Sequence, residues 1–226
     1  MDEAEVVLQT LRAIWTEWSD GAREFDGSET AMQRALAAEL ERRLGRGWEV
    51  LRERGLRDLP RRCTAWRRYD VMVLAEGRLM ALLELSLGDT NVAHALHNGE
   101  LKLLGRCDAR GVRTHTTYAE ARDLTADDVR AVRERLAGIP VRGLLFVAPP
   151  GSDPLDEPGE AVWHETKGKG FVGETHFRSA LFSAGERGDP FRVTLRDTFE
   201  ALAAVGLWCW YYAPDTGTRL ELASRS

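Results

Sequence analysis

Residues 69–87, YDVMVLAEGRLMALLELSL, constrain the fold more than any other part of the chain. Two runs rich in Val, Leu and Met, from Tyr69 to Leu74 and from Leu79 to Leu87, flank Ala75-Glu76-Gly77-Arg78. The glycine sits where a tight reversal needs one, so the segment is expected to form a β-hairpin of buried strands. Two carboxylates, Asp70 and Glu84, interrupt the apolar pattern. An isolated charge in such a setting costs several kcal/mol unless it meets a partner or a metal.

The hairpin register decides whether the two acids meet. If the chain turns about Gly77, paired residue numbers sum to about 154, and Asp70 lies opposite Glu84 on one face with Cβ atoms about 5 Å apart. If the turn centres between Glu76 and Gly77, the sum is 153 and the side chains face opposite sides. Like charges at the shorter separation repel, and the relief is a raised pKa on one or a divalent cation held between them.

The surroundings of the hairpin alternate helix and strand. Val6, Leu8, Leu11, Ile14, Trp15 and Trp18 recur near helical spacing, with a stop at Asp20-Gly21. A second helix is expected after the N-cap Ser28, with Met32, Leu36, Leu40 and Leu44 on one stripe and Gly45 as its stop. Trp48, Val50 and Leu51 read as a short strand, followed by an arginine-rich loop containing Pro60. After the hairpin, Asp89 or Thr90 can cap a helix running through Leu104, although Gly99 inside it costs about 1 kcal/mol of propensity. Thr125 and Asp128 have capping-box spacing for a helix to Leu136, and Val141 to Val147 is a buried strand. Beyond the Pro149-Pro150-Gly151 loop the pattern is less regular, with a strongly apolar helix expected around Leu195 to Trp210. The expected fold is α/β, a central mixed sheet flanked by helices, with residues 1–150 as the core and 151–226 as an extension packing on the same domain.

Charge and cysteine content narrow the function classes. No run of about 18 apolar residues exists to span a bilayer. The acidic, amphipathic start does not read as a secretory signal, which leaves a cytoplasmic protein as the expectation. Three cysteines, Cys63, Cys107 and Cys209, are odd in number and widely spaced, against a disulfide framework or zinc knuckle. The net charge of −5 disfavours bulk electrostatic binding of nucleic acid. Between Arg52 and Arg68, however, seven arginines face only Glu53 and Asp58, and such a segment can meet a phosphate backbone as readily as it can be a solvated loop.

Mg²⁺ or Mn²⁺ on one or two carboxylates, with waters at its other positions, is the usual apparatus for phosphodiester hydrolysis. A positive residue is normally needed beside it. Ser86, two residues after Glu84, cannot serve, and Lys102 is the candidate. Glu84 lies roughly 13 Å before the end of its strand. A helix folding back from Asp89 would carry Lys102 about 19 Å along its axis, and the backward lean of helical side chains returns its amine to the level of Glu84. His94 and Asn98 precede Lys102 on the same face, as a wall of the site or as plain surface.

A helix bearing a glutamate, then a three-strand meander with an Asp on the second strand and a Glu on the third, then a helix and a further strand, resembles the PD-(D/E)xK nuclease superfamily, the restriction-endonuclease-like fold. The pieces here are Glu39 or Glu41 in AAELERRL, Asp70 in RRYDVMVL and Glu84 in LLELSLG, over roughly residues 29–148. No proline precedes Asp70, and Ser86 stands where the superfamily places its lysine. The resemblance implies a metal-dependent DNA endonuclease, of restriction or defence type, with Asp70 and Glu84 as metal ligands, Glu39 as an accessory ligand and Lys102 near the attacking water. It also implies a homodimer reading a palindromic target. The competing expectation is a nuclease-like fold without chemistry, a binding or interaction protein in which Glu84 pairs with Arg67 or Arg68.

Other constellations read more simply as structure. Asp89, His94 and His97 lack a further ligand at recognisable spacing for zinc. Residues 168–173, GKGFVG, fit G-x-G-x-x-G without the strand-loop-helix context of a dinucleotide site, though Lys167 and Lys169 among the glycines could touch a nucleic-acid backbone. Trp208, Trp210, Tyr211 and Tyr212 fit a core or oligomer contact better than a base-stacking platform.

Overall fold

The computed structural model describes the chain outside residues 1, 22, 24, 26–27, 60–62, 64–65, 67, 89–90, 106–124, 161, 166–174, 180, 183–191 and 226. Two helices open it, α1 (Glu3–Asp20) and α2 (Glu29–Leu44), the latter capped by Ser28, whose hydroxyl accepts the Ala31 N–H. The strands β1 (Trp48–Arg54), β2 (Tyr69–Ala75) and β3 (Arg78–Leu87) form an antiparallel meander. A five-residue α3 (Val92–Leu96) runs into a π-helix (His97–Leu103). Then come α4 (Ala126–Ala137), with the capping box of Thr125 and Asp128, and β4 (Val141–Val147). Two ribbons follow, β5 (Gly159–Glu160) with β8 (Arg192–Val193) and β6 (Val162–Glu165) with β7 (Thr175–Arg178). Helix α5 (Leu195–Ala204) and strands β9 (Trp208–Tyr212) and β10 (Arg219–Leu222) complete the chain.

The main sheet has six strands in the order β1-β2-β3-β4-β9-β10. Strands β3, β4 and β9 run parallel and both margins antiparallel, so the sheet is mixed and the architecture is α/β, as expected. Residues beyond 151 supply β9, β10 and α5 to this sheet and its helical layer. One face packs Val71, Val73, Leu83, Leu85, Leu145 and Trp210 under α1 and α2. The other packs Met72, Leu82, Leu144, Phe146 and Tyr211 against α3, the π-helix and α5. Covering on both faces explains why β3 and β4 are apolar on both alternations. No described helix is long and apolar enough to cross a membrane.

The hairpin realises both registers. Glu76 and Gly77 have φ of 48° and 78°, the paired left-handed conformations of a two-residue type I′ turn. That turn sets Ala75 opposite Arg78 and Leu74 opposite Leu79. Met80 is then an extra residue, and from Val73–Ala81 to Val71–Leu83 the register has slipped by one. A bulge adds one residue to one strand and so exchanges the faces of everything beyond it. Met80 and Ala81 accordingly enter the same core.

Two expectations are corrected. The helix over 89–104 is not one α-helix: its N-cap is Asn91, and it widens to a π-helix at His97. A Cβ at Gly99 would stand 2.7 Å from Leu202 Cδ1 and 3.0 Å from Leu144 Cδ1, so the glycine is there for close approach to β4 and α5. The apolar helix around Leu195 to Trp210 ends at Ala204; Gly206, at φ 104°, turns the chain and the aromatic run Trp208–Tyr212 becomes a strand. Trp210, Tyr211 and Tyr212 are fully buried there, as core. The glycine run 168–173, with Lys167 and Lys169, lies outside the described residues.

Candidate functional site

Strands β2 and β3 pair as far as Val71–Leu83, and one step further stand Asp70 and Glu84. Here Asp70 takes over from the backbone ladder: its Oδ2 accepts the Leu85 N–H at 2.7 Å, and its Oδ1 accepts Gln33 Nε2 of α2 at 2.9 Å. Glu84 is buried. Its Oε2 accepts Lys102 Nζ at 2.5 Å, while its Oε1 is buried with no hydrogen-bond partner among the described residues. Lys102 comes from the π-helix and keeps 15% of its side chain exposed, the ammonium lying 5.6 Å from the centroid of the Tyr69 ring.

The electrostatics follow from burial. Desolvation pushes the Glu84 carboxyl well above the usual carboxylate range; Lys102 opposes this, and Asp70 adds to it. Asp70 is raised by the same cause, against Lys102 and the Leu85 N–H. The bulge at Met80 thus brings two reluctant anions and one cation to a single point. Ser86 is buried further along β3, and the π-helix delivers the cation that the strand lacks.

Not every expected residue joins them. Glu39 does not: it lies six residues beyond Gln33 on α2 and pairs with Arg42 at 2.6 Å and Arg43 at 3.1 Å, which hold its carboxyl below the usual range. Arg43 in turn reaches Glu17 of α1, so this is a link between helices. Glu41 is exposed. Arg68 pairs with Glu53 of β1 rather than with Glu84, whose cation is Lys102; Arg67 lies outside the described residues. Asn98 is buried and His94 packs edge-on to Phe146 at 6.1 Å, so the polar face expected on this helix is mostly interior.

Residues not anticipated from sequence complete the cluster. Gln33 holds Asp70 and also reaches Glu29 Oε1 at 3.4 Å; Glu29 and Glu53 both bear on the carboxylates electrostatically. The signal was present: Gln33, with Ala37 and Leu40 at helical spacing, is a polar residue on the buried stripe of α2. Among the described residues no group of three or more His, Cys, Asp or Glu side chains is placed to hold a metal ion, and Asp89 of the zinc arrangement lies outside them. Two carboxylates with an orphaned, buried oxygen nevertheless suit Mg²⁺, which keeps several waters and takes only one or two carboxylates. Comparison with protein-family models, curated proteins and solved structures returns no match.

Proposed function

We propose that the protein is a Mg²⁺- or Mn²⁺-dependent nuclease of restriction-endonuclease-like fold that hydrolyses DNA phosphodiester bonds. The observation that carries this reading is the convergence of Asp70, Glu84 and Lys102 where β2 and β3 part, with Glu84 Oε1 unpartnered among the described residues. Asp70 and Glu84 would hold the metal, which when bound supplies a Lewis acid for the phosphoryl oxygen and an acidified water. Lys102, in reach of both the carboxylate and solvent, orients the attacking water and offsets negative charge developing on phosphorus. Gln33 and the Leu85 N–H fix the Asp70 carboxyl so that its geometry does not depend on the ion. Glu29, on the helix turn that carries Gln33, takes the neighbouring place formerly expected of Glu39. The arginines of β1 and the following loop, Arg52, Arg54 and Arg57 among them, are exposed and suit a DNA backbone, and a homodimer would match a two-fold target.

A second reading is favoured by the same ion pair. Lys102 already neutralises Glu84, as a nuclease-like fold used only for binding would require. Incubation with plasmid DNA and Mg²⁺ separates the two. The enzyme reading expects cleavage that EDTA stops and that Asp70→Ala and Glu84→Ala each abolish. Cleavage persisting unchanged in both variants, or none by the wild type with either metal, rejects it.

A further inference from the structure

One tyrosine grips both ends of Lys102. The Tyr69 hydroxyl donates to the Lys102 carbonyl at 3.1 Å, while the Tyr69 ring lies under the Lys102 ammonium. One residue earlier in the π-helix, the Leu101 carbonyl accepts Trp66 Nε1 at 3.1 Å. The Leu101 carbonyl also accepts the Gly105 N–H at 2.9 Å, and the Lys102 carbonyl lies in the last turn, where intrahelical donors run out. The π-helix is itself an unusual element, since i→i+5 winding seldom extends over several residues and is often found at functional sites. Such winding turns through less angle per residue than the about 100° of an α-helix, so Lys102 leaves the axis in a direction that depends on the π geometry persisting to its end.

We propose that Tyr69 is a positioning residue: its hydroxyl and ring, assisted by Trp66, lock the end of the π-helix so that the Lys102 amine is delivered to Glu84 in place of the lysine that Ser86 does not provide. Both clamping groups precede β2 or begin it, next to Asp70, so one strand start carries a metal ligand and the clamp of the lysine. Gly99 allows the helix close enough to β4 for the clamp to reach it.

The test has two arms, and only the kinetic one rests on the nuclease reading. The chain has three lysines, so Lys102 acetylation by a small anhydride can be followed by peptide mass spectrometry against Lys167 and Lys169. Tyr69→Phe removes one hydroxyl and keeps the ring. Lys102 is expected to acetylate at least about fivefold faster in this variant, with the reference lysines unchanged, and Trp66→Phe should act in the same direction. Equal Lys102 rates in wild type and Tyr69→Phe overturn the proposal, whatever the protein does to DNA. In the kinetic arm, Tyr69→Phe lowers kcat about tenfold with KM unchanged and has no further effect in a Lys102→Ala background. An equal loss in both backgrounds would mark Tyr69 as merely structural. An inactive wild type removes the nuclease reading and leaves the acetylation result to decide the clamp.

Discussion

Under α1 and α2 the sheet packs a mainly apolar layer, Val71, Val73, Leu83, Leu85 and Trp210 among it, with Asp70 reaching Gln33 at its margin, whereas beside the π-helix the protein buries Glu84, Ser86, Asn98 and Glu100. The first face gains from the burial of its apolar side chains. The second gives up part of that gain, because each buried polar group must find a partner to cover its desolvation. Most do: Glu100 accepts Ser179 Oγ at 2.6 Å and the Leu181 N–H at 3.2 Å, tying a distant segment to the helix. Among the described residues Glu84 Oε1 finds none, and neither does Oε1 of Gln33, whose amide holds Asp70, so two buried oxygens of this cluster are left short of partners. The contrast teaches that most of the costly buried polar groups gather on one side of the sheet, with the candidate site at the margin where the two sides meet.

Substitutions should separate the two sides. The largest effect is expected at Lys102→Ala, which should lower Mg²⁺-dependent cleavage by about 10²–10³-fold while circular dichroism shows an intact fold. On the opposite face Trp210→Ala should cost about 3–5 kcal/mol, seen as a fall in denaturation midpoint. Trp210 lies over Gly143, where an added Cβ would come within 2.8 Å of its ring, so the indole fills the space that the glycine leaves. If Trp210→Ala left the denaturation midpoint unchanged, the contrast would fail. Saturating Mg²⁺ should raise the wild-type melting temperature by several degrees, about 2.7 kcal/mol of stabilisation at a hundred times Kd, and do nothing for Asp70→Ala. Gly99→Ala should cost about 1–3 kcal/mol, because Leu202 and Leu144 must give way, and should lower kcat as well by displacing the π-helix.

The smallest effect is on pH dependence. Glu84 and Asp70 have folded-state values raised above those of the unfolded chain, so the folded protein holds their protons longer. Their contribution is fully present below the ordinary carboxylate value of about 4 and is lost as pH rises through the raised folded values. The melting temperature should therefore show a falling component as pH is raised from the ordinary carboxylate range towards neutrality, and Glu84→Gln should flatten it. A slope unchanged in that variant would mean Glu84 is not the group responsible.

Much of this was legible in the chain. Residues 69–87 announce a hairpin through composition and one glycine, Ser28 and Thr125 announce helix starts through local hydrogen bonds, and Val141–Val147 announces a buried strand; all are decided within a few residues. Asp70, Glu84 and Lys102 could be singled out because a charge in an apolar run needs an explanation. Glu39 was misplaced because several glutamates on α2 look alike in sequence, and only the packing of α2 on the sheet selects the turn bearing Glu29 and Gln33.

What the sequence determined by itself was therefore the inventory: which segments are strands or helices, and which few polar groups would be costly to bury. The tertiary structure decided where those groups meet. A two-residue turn alone would have put the two acids on opposite faces; the extra residue at Met80 reverses that. The bulge changes which side chains each face packs, and the π-helix after β3 passes close to β4 and α5 at Gly99. Such long-range contacts leave little local trace, because their energy belongs to pairs of residues far apart in the chain.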